Sequence, residues 1–147
     1  MRLEATRRSD LAVRALTALG VMEGRVKAPE LAELLNTTPA FITQVVGQLV
    51  KAGWVRSDPG PSGGYSLSTD LSTLTVLGVV EAVDGEIDNG RCVVEARACG
   101  ATSPCVMHLA WSRARAELVN ALGAMPLSEV PAIDTTDAEQ AIAEHRS

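Results

Sequence analysis

Residues 54–68 run Trp54-Val55-Arg56-Ser57-Asp58-Pro59-Gly60-Pro61-Ser62-Gly63-Gly64-Tyr65-Ser66-Leu67-Ser68, a sequence that specifies a hairpin. Trp54 to Ser57 and Tyr65 to Ser68 alternate in character as short strands do, and the Pro- and Gly-rich run between them is turn chemistry. The hairpin follows directly on a helical pattern. From Pro39 to about Ala52, residues Phe41, Ile42, Val45, Val46, Leu49 and Val50 form a broad apolar stripe, with Thr38 suited to cap the helix and Pro39 to begin it. Further upstream, Pro29 to Leu35 reads as a short helix joined to this one by the turn Asn36-Thr37-Thr38. Thr6 to Gly24 reads as a longer helix with Leu11, Ala15, Ala18, Leu19 and Met22 at three- and four-residue spacing. Three such helices fit any small bundle. With the hairpin added they predict a winged helix-turn-helix: a mainly α fold with a small β-hairpin.

In that arrangement the second helix of the pair enters the DNA major groove by its N-terminal end. The candidate DNA contacts there are Thr38, Ala40, Phe41 and Gln44, with Gln44 able to read adenine and Thr38 able to hold a phosphate. The hairpin adds Arg56, for a phosphate or the minor groove, and Ser62, Gly63 and Gly64, where small residues let the backbone come close. Charge supports this division of labour. Residues 1–68 hold eight Lys/Arg against six Asp/Glu, net +2, and residues 69–147 hold five against twelve, net −7. Any phosphate contact is expected in the first half.

After Thr69 the character changes. Val76 to Val83 reads as an apolar helix packed on the winged domain, residues 84–90 as an acidic flexible stretch, and residues 92–108 hold all three cysteines, Cys92, Cys99 and Cys105, together with His108. The spacing Cys-x6-Cys-x5-Cys-x2-His gathers soft and borderline ligands that zinc and iron-sulfur clusters select. From about Val106 to Ala124 a further helix places Met107, Trp111, Ala114, Leu118, Ala121 and Met125 at alternating four- and three-residue steps. This heptad seam suits a twofold dimer that sets two recognition helices about 34 Å apart on DNA; the alternative is that the stripe covers its own domain. The expected organisation is a winged helix-turn-helix domain over 1–83, a ligand-bearing loop over 84–105, a long dimerisation helix and short turn over 106–130, and a mobile tail over 131–147. Three cysteines, no apparent signal peptide and no long apolar run imply a cytoplasmic protein without membrane association.

The combination of Met1-Arg2-Leu3, the wing Gly60-Pro61-Ser62-Gly63-Gly64-Tyr65-Ser66-Leu67, the helix end Val80-Glu81-Ala82-Val83-Asp84, the cysteine spacing, Cys105-Val106-Met107-His108-Leu109-Ala110-Trp111 and Pro126-Leu127-Ser128-Glu129-Val130 resembles the bacterial winged-helix iron-sulfur regulators of the IscR, NsrR and RirA type. The resemblance spans about residues 1 to 130. It implies a homodimeric transcriptional regulator, a repressor by type, that binds a double-stranded operator. An iron-sulfur cluster on Cys92, Cys99, Cys105 and a fourth ligand would control that binding, in response to nitric oxide, redox state or iron-sulfur supply. The Cys105-x2-His108 spacing resembles IscR, where a histidine completes a 2Fe-2S site. Arg8-Ser9-Asp10-Leu11-Ala12-Val13-Arg14 resembles NsrR, where an aspartate from the other subunit, here Asp10, completes a 4Fe-4S site. Against these stands a structural Cys3His zinc site with no sensing role. A short RNA-binding zinc finger is disfavoured by the upstream winged helix and the 3% aromatic content. A cysteine enzyme is disfavoured because the sequence carries no recognisable nucleophile motif and no glycine-rich phosphate loop.

Overall fold

The computed structural model describes residues 4–95, 97–99 and 104–131; the expected tail lies outside them from residue 132 onward. Among the described residues five helices and one hairpin are formed: α1 (Arg7–Val21), α2 (Ala28–Leu34), α3 (Pro39–Lys51), β1 (Val55–Asp58), β2 (Gly64–Leu67), α4 (Val76–Asp84) and α5 (His108–Gly123), with short 3-10 turns at Leu71–Thr73 and Leu127–Glu129. Thr6 caps α1 by accepting from the Ser9 N–H, and Thr38 caps α3 by accepting from the Phe41 N–H at 3.2 Å. Asn36 takes φ 53° in the turn between α2 and α3, a left-handed conformation that asparagine tolerates. The core collects Leu11, Ala15, Leu16 and Leu19 of α1, Leu31 and Leu35, and Ile42, Val45, Val46 and Leu49 of α3, with Val79 of α4 above them. Each fully buried leucine or isoleucine here contributes roughly 1.5–3 kcal/mol.

β1 and β2 pair antiparallel from Val55 opposite Leu67 to Asp58 opposite Gly64. The wing has a third member that the sequence pattern concealed. Val26, between α1 and α2, exchanges two backbone hydrogen bonds with Tyr65, at 2.8 and 2.7 Å. Gly64 is needed there, because at its φ of 139° a Cβ would stand 2.9 Å from the Val26 carbonyl oxygen.

The elements differ from the expected ones chiefly at their ends. Helix α1 stops at Val21, with Met22 as its cap, rather than continuing to Gly24. Helix α5 begins at His108, because Val106 and Met107 form a turn in which the His108 N–H reaches the Cys105 carbonyl at 3.1 Å. Asp84 closes α4 instead of opening a flexible stretch, for its carboxylate accepts from the Thr6 hydroxyl at 2.5 Å and from the Ser9 hydroxyl. After α5 the chain returns to the start of α4. Val76 N–H bonds the Met125 carbonyl, Leu127 N–H bonds the Leu74 carbonyl, each at 2.9 Å, and Leu127 is buried. Helix α5 is thus tied to the domain at its C-terminal end. At 16 residues against nine it is about 24 Å long beside an α4 of about 13 Å, so its N-terminal part overhangs α4.

Candidate metal centre and nucleic-acid interface

The loop that spans this overhang carries the cysteines. Arg91 and Ala98 form a β-bridge that folds the loop back on itself and brings Cys92 beside Cys99. The Sγ atoms of Cys92, Cys99 and Cys105 lie within 4.8 Å of one another, and all three thiols are free. Backbone N–H groups aim at the sulfurs: those of Glu95 and Val94 at Cys92, and that of Cys105 at Cys99, each at 3.4 Å. The Glu95 N–H, followed by that of Val94, holds the Cys92 thiol below its ordinary pKa, whereas burial pushes Cys105 up. His108 joins the group through Cys99, with Nδ1 at 3.1 Å from its sulfur. Three convergent sulfurs supplied with N–H donors form a donor set that fits a thiolate-held iron-sulfur cluster or a zinc ion. Arg115 of α5 steadies the loop by donating to the Arg91 carbonyl at 3.2 Å.

Asp10 does not join the thiols of its own protomer. It projects from α1, ion-paired with Arg14 at 3.6 Å, into a groove of about 1020 Å³ bounded by α1, α4 and α5. The opposite wall carries Trp111, Ala114, Leu118 and Ala121. No residue of α5 is buried, and Met107, Leu118 and Met125 are 47%, 43% and 44% exposed, so the domain itself leaves the heptad seam largely uncovered. Among the described residues no helix is long and apolar enough to cross a membrane.

At the N-terminal end of α3, Thr38, Ala40 and Gln44 are exposed. The Thr38 oxygen accepts the capping bond, and its hydroxyl hydrogen remains available to an outside acceptor. Phe41 is half-buried and packs against the core, so its ring belongs to the domain more than to an outer contact. In the wing, Ser62 is exposed and Gly64 half-buried. Gly63 is buried, and a Cβ on it would meet the Asp58 carbonyl oxygen at 2.0 Å, so its glycine serves the turn itself. The Arg56 guanidinium is two-thirds exposed and bonds Asp58 Oδ1 through Nε at 3.2 Å and Nη2 at 3.1 Å.

A profile of the Rrf2 family, described as an iron-dependent transcriptional regulator, matches residues 5–132. The chain belongs to the Rrf2 family. It is similar to the HTH-type transcriptional regulator IscR of Xenorhabdus nematophila, with 30% identity over 130 residues that cover 88% of this chain and 79% of the relative. Two solved structures share the fold. IscR of T. potens superposes with a TM-score of 0.67 at 22% identity, over 95% of this chain and 90% of that one. CymR, the global cysteine regulator of B. subtilis, gives 0.69 at 21% identity, over 88% and 96%. This Rrf2 protein is therefore a DNA-binding transcriptional regulator with a winged helix-turn-helix fold, and not an enzyme.

Several residues that shape the Rrf2 site escaped the sequence reading. Arg25 and Val26 sit in a linker with no strand pattern, and only the pairing with Tyr65 reveals them. The bonds from Thr6 and Ser9 to Asp84 span more than 70 residues of sequence, so no local signal announces them. Arg115 lies on the helix that the heptad identifies, but its contact with the Arg91 carbonyl depends on how the loop folds.

Proposed function

We propose that this Rrf2 protein is a cytoplasmic homodimeric regulator, a repressor by type, whose operator affinity follows the state of an iron-sulfur cluster held by Cys92, Cys99, Cys105 and a fourth ligand. The observation that carries the reading is the convergence of three sulfurs within 4.8 Å on a loop that joins α4 to the overhanging α5. When bound, the cluster would supply a redox-active group whose loss or modification changes which side chains the loop can order. The loop backbone presents N–H donors to Cys92 and Cys99, His108 is within reach as a nitrogen ligand, and Arg115 fastens the loop to α5. The uncovered seam and the groove facing it favour a second copy seated through α5, which would also bring the partner subunit towards Asp10. His108 thus supports the 2Fe-2S assignment and Asp10 the 4Fe-4S one. Operator contacts are assigned to Thr38, Ala40 and Gln44 on α3 and to Arg56 and Ser62 on the wing, with Gly63 and Gly64 shaping its backbone.

The contact between Cys99 and His108 would serve a Cys3His zinc site equally well, and one experiment separates the readings. Protein purified without oxygen is analysed for iron, sulfide and zinc, and its affinity for a duplex selected from random DNA is measured with and without its cluster at a single salt concentration. The sensor reading expects iron, sulfide and a clear affinity difference. A colourless protein with one zinc per chain, or equal affinities, refutes it.

A further inference from the structure

The bridge between Val26 and Tyr65 carries the α1–α2 linker to the wing, and with it a cation. Arg25 donates from Nη1 to the Ser62 carbonyl at 3.3 Å, near the wing tip, and its Nε lies 3.1 Å from Asp58 Oδ2. Asp58, only 19% exposed, therefore sits between two guanidiniums, those of Arg25 and Arg56, which are 47% and 66% exposed. The three together keep a net charge of +1. The Ser62 carbonyl engages Nη1 and the Asp58 carboxylate pairs with the guanidinium by charge, so the Nη2 side can donate to an outside anion while the group is held at the wing. Beside it opens a notch of about 470 Å³ lined by Gly24, Arg25, Lys27, Glu30, Ser62 and Gly63. Two of its walls are glycine, and the charges of Lys27 and Glu30 on its lining offset each other.

We propose that Arg25 is a wing residue in function, a phosphate ligand that grips the DNA backbone where the wing tip approaches it. The inference rests on the DNA-binding reading but not on control by a cluster. A phosphate contact carries no sequence information directly; it adds affinity uniformly and steepens the salt dependence. This separates it from Gln44, whose loss should weaken binding to one sequence without changing the salt slope.

Full-length protein of matched cluster content is titrated by fluorescence anisotropy against a duplex selected from random DNA and a scrambled duplex of equal length, between about 50 and 200 mM salt. For Arg25→Gln the slope of log affinity on log salt should be shallower by about 0.9 per protomer on both duplexes. The gap from the unsubstituted protein then closes by about 3.5-fold per protomer across that range. Arg25→Lys should restore the slope, and Arg113→Gln, on the exposed face of α5, should leave it unaltered. A slope for Arg25→Gln equal to that of the unsubstituted protein overturns the proposal, as does equal flattening by Arg113→Gln. Because the comparison holds cluster content fixed, a protein indifferent to its cluster would still show the Arg25 difference.

Discussion

Replacing Asp84 by alanine tests how the ligand loop is rooted in the DNA-binding domain. The carboxylate closes α4 and accepts from two hydroxyls at the N-terminus of α1, those of Thr6 and Ser9. Ser9 is 1% exposed while Asp84 is exposed on the groove, so without Asp84 the Ser9 hydroxyl loses its charged acceptor and depends on water entering where the carboxylate stood. A hydrogen bond to a charged group contributes about 1.5–3 kcal/mol, and an orphaned buried hydroxyl costs about 1–3 kcal/mol. The Thr6 hydroxyl is exposed and rehydrates, which adds little. The expected loss is about 2 kcal/mol, or a fall in Tm of about 6–8 °C for a chain of this size. A double-mutant cycle in urea isolates the contact. Ser9→Ala alone should cost about 1 kcal/mol, but in the Asp84→Ala background it should cost almost nothing, because the group left orphaned has gone. The coupling expected is therefore about 1 kcal/mol. Losses that add to within about 0.3 kcal/mol would refute the clamp.

Leu118→Glu places a charge on the seam of α5 at a position 43% exposed in the protomer, and it should halve the particle mass in light scattering while leaving the helical circular dichroism intact. Gly63→Ala drives a Cβ to 2.0 Å from the Asp58 carbonyl oxygen and should lower the urea midpoint more than Gly60→Ala, which meets nothing within 4 Å and suffers only its φ of 93°. That second penalty is about 1 kcal/mol. His108→Ala and Asp10→Ala separate the two candidate fourth ligands: the variant whose visible cluster spectrum changes identifies the ligand, and unchanged spectra in both would exclude the pair.

What the sequence discloses here is whatever repeats at the period of its own element. The stripe from Ile42 to Leu49, the Thr38 cap and the Pro/Gly turn each carry a local physical cause, and α3 and the hairpin stand within a residue of where those causes put them. The heptad of α5 is legible for the same reason, although its first turn is not, because Val106 and Met107 continue the apolar pattern while the backbone still turns. Gly24 misleads as a helix stop. The chain leaves the helix at Met22 so that Val26 can reach Tyr65, a demand made by a partner 39 residues away. The cysteine spacing announces a ligand set without its geometry. Convergence of the sulfurs depends on the bridge between Arg91 and Ala98, which has no strand signature.

These long-range contacts give α1 a mechanical role that its sequence does not suggest. Its N-terminal turn is held by Asp84, where the ligand loop begins, and its C-terminal linker supplies Val26 to the wing. The intervening 15 residues form a strut of about 22 Å packed along one side by Leu11, Ala12, Ala15, Leu16, Ala18 and Leu19, none more than 4% exposed. A helix so embedded moves with the core rather than through it, since close-packed interiors transmit displacement with little compression. On the proposed reading, a change in the loop therefore does not reshape α3 or the wing within a protomer. It shifts the whole winged domain relative to α5, whose C-terminal end is held to that domain by the bonds of Met125 with Val76 and of Leu127 with Leu74. In a dimer joined through α5, such a shift alters the separation of the two recognition helices, and half-sites on DNA fix that separation at multiples of about 34 Å. The wing and α3 can thus keep their contacts with a single half-site while affinity for the full operator falls, so a one-half-site duplex should bind both cluster states equally and a two-half-site duplex should not.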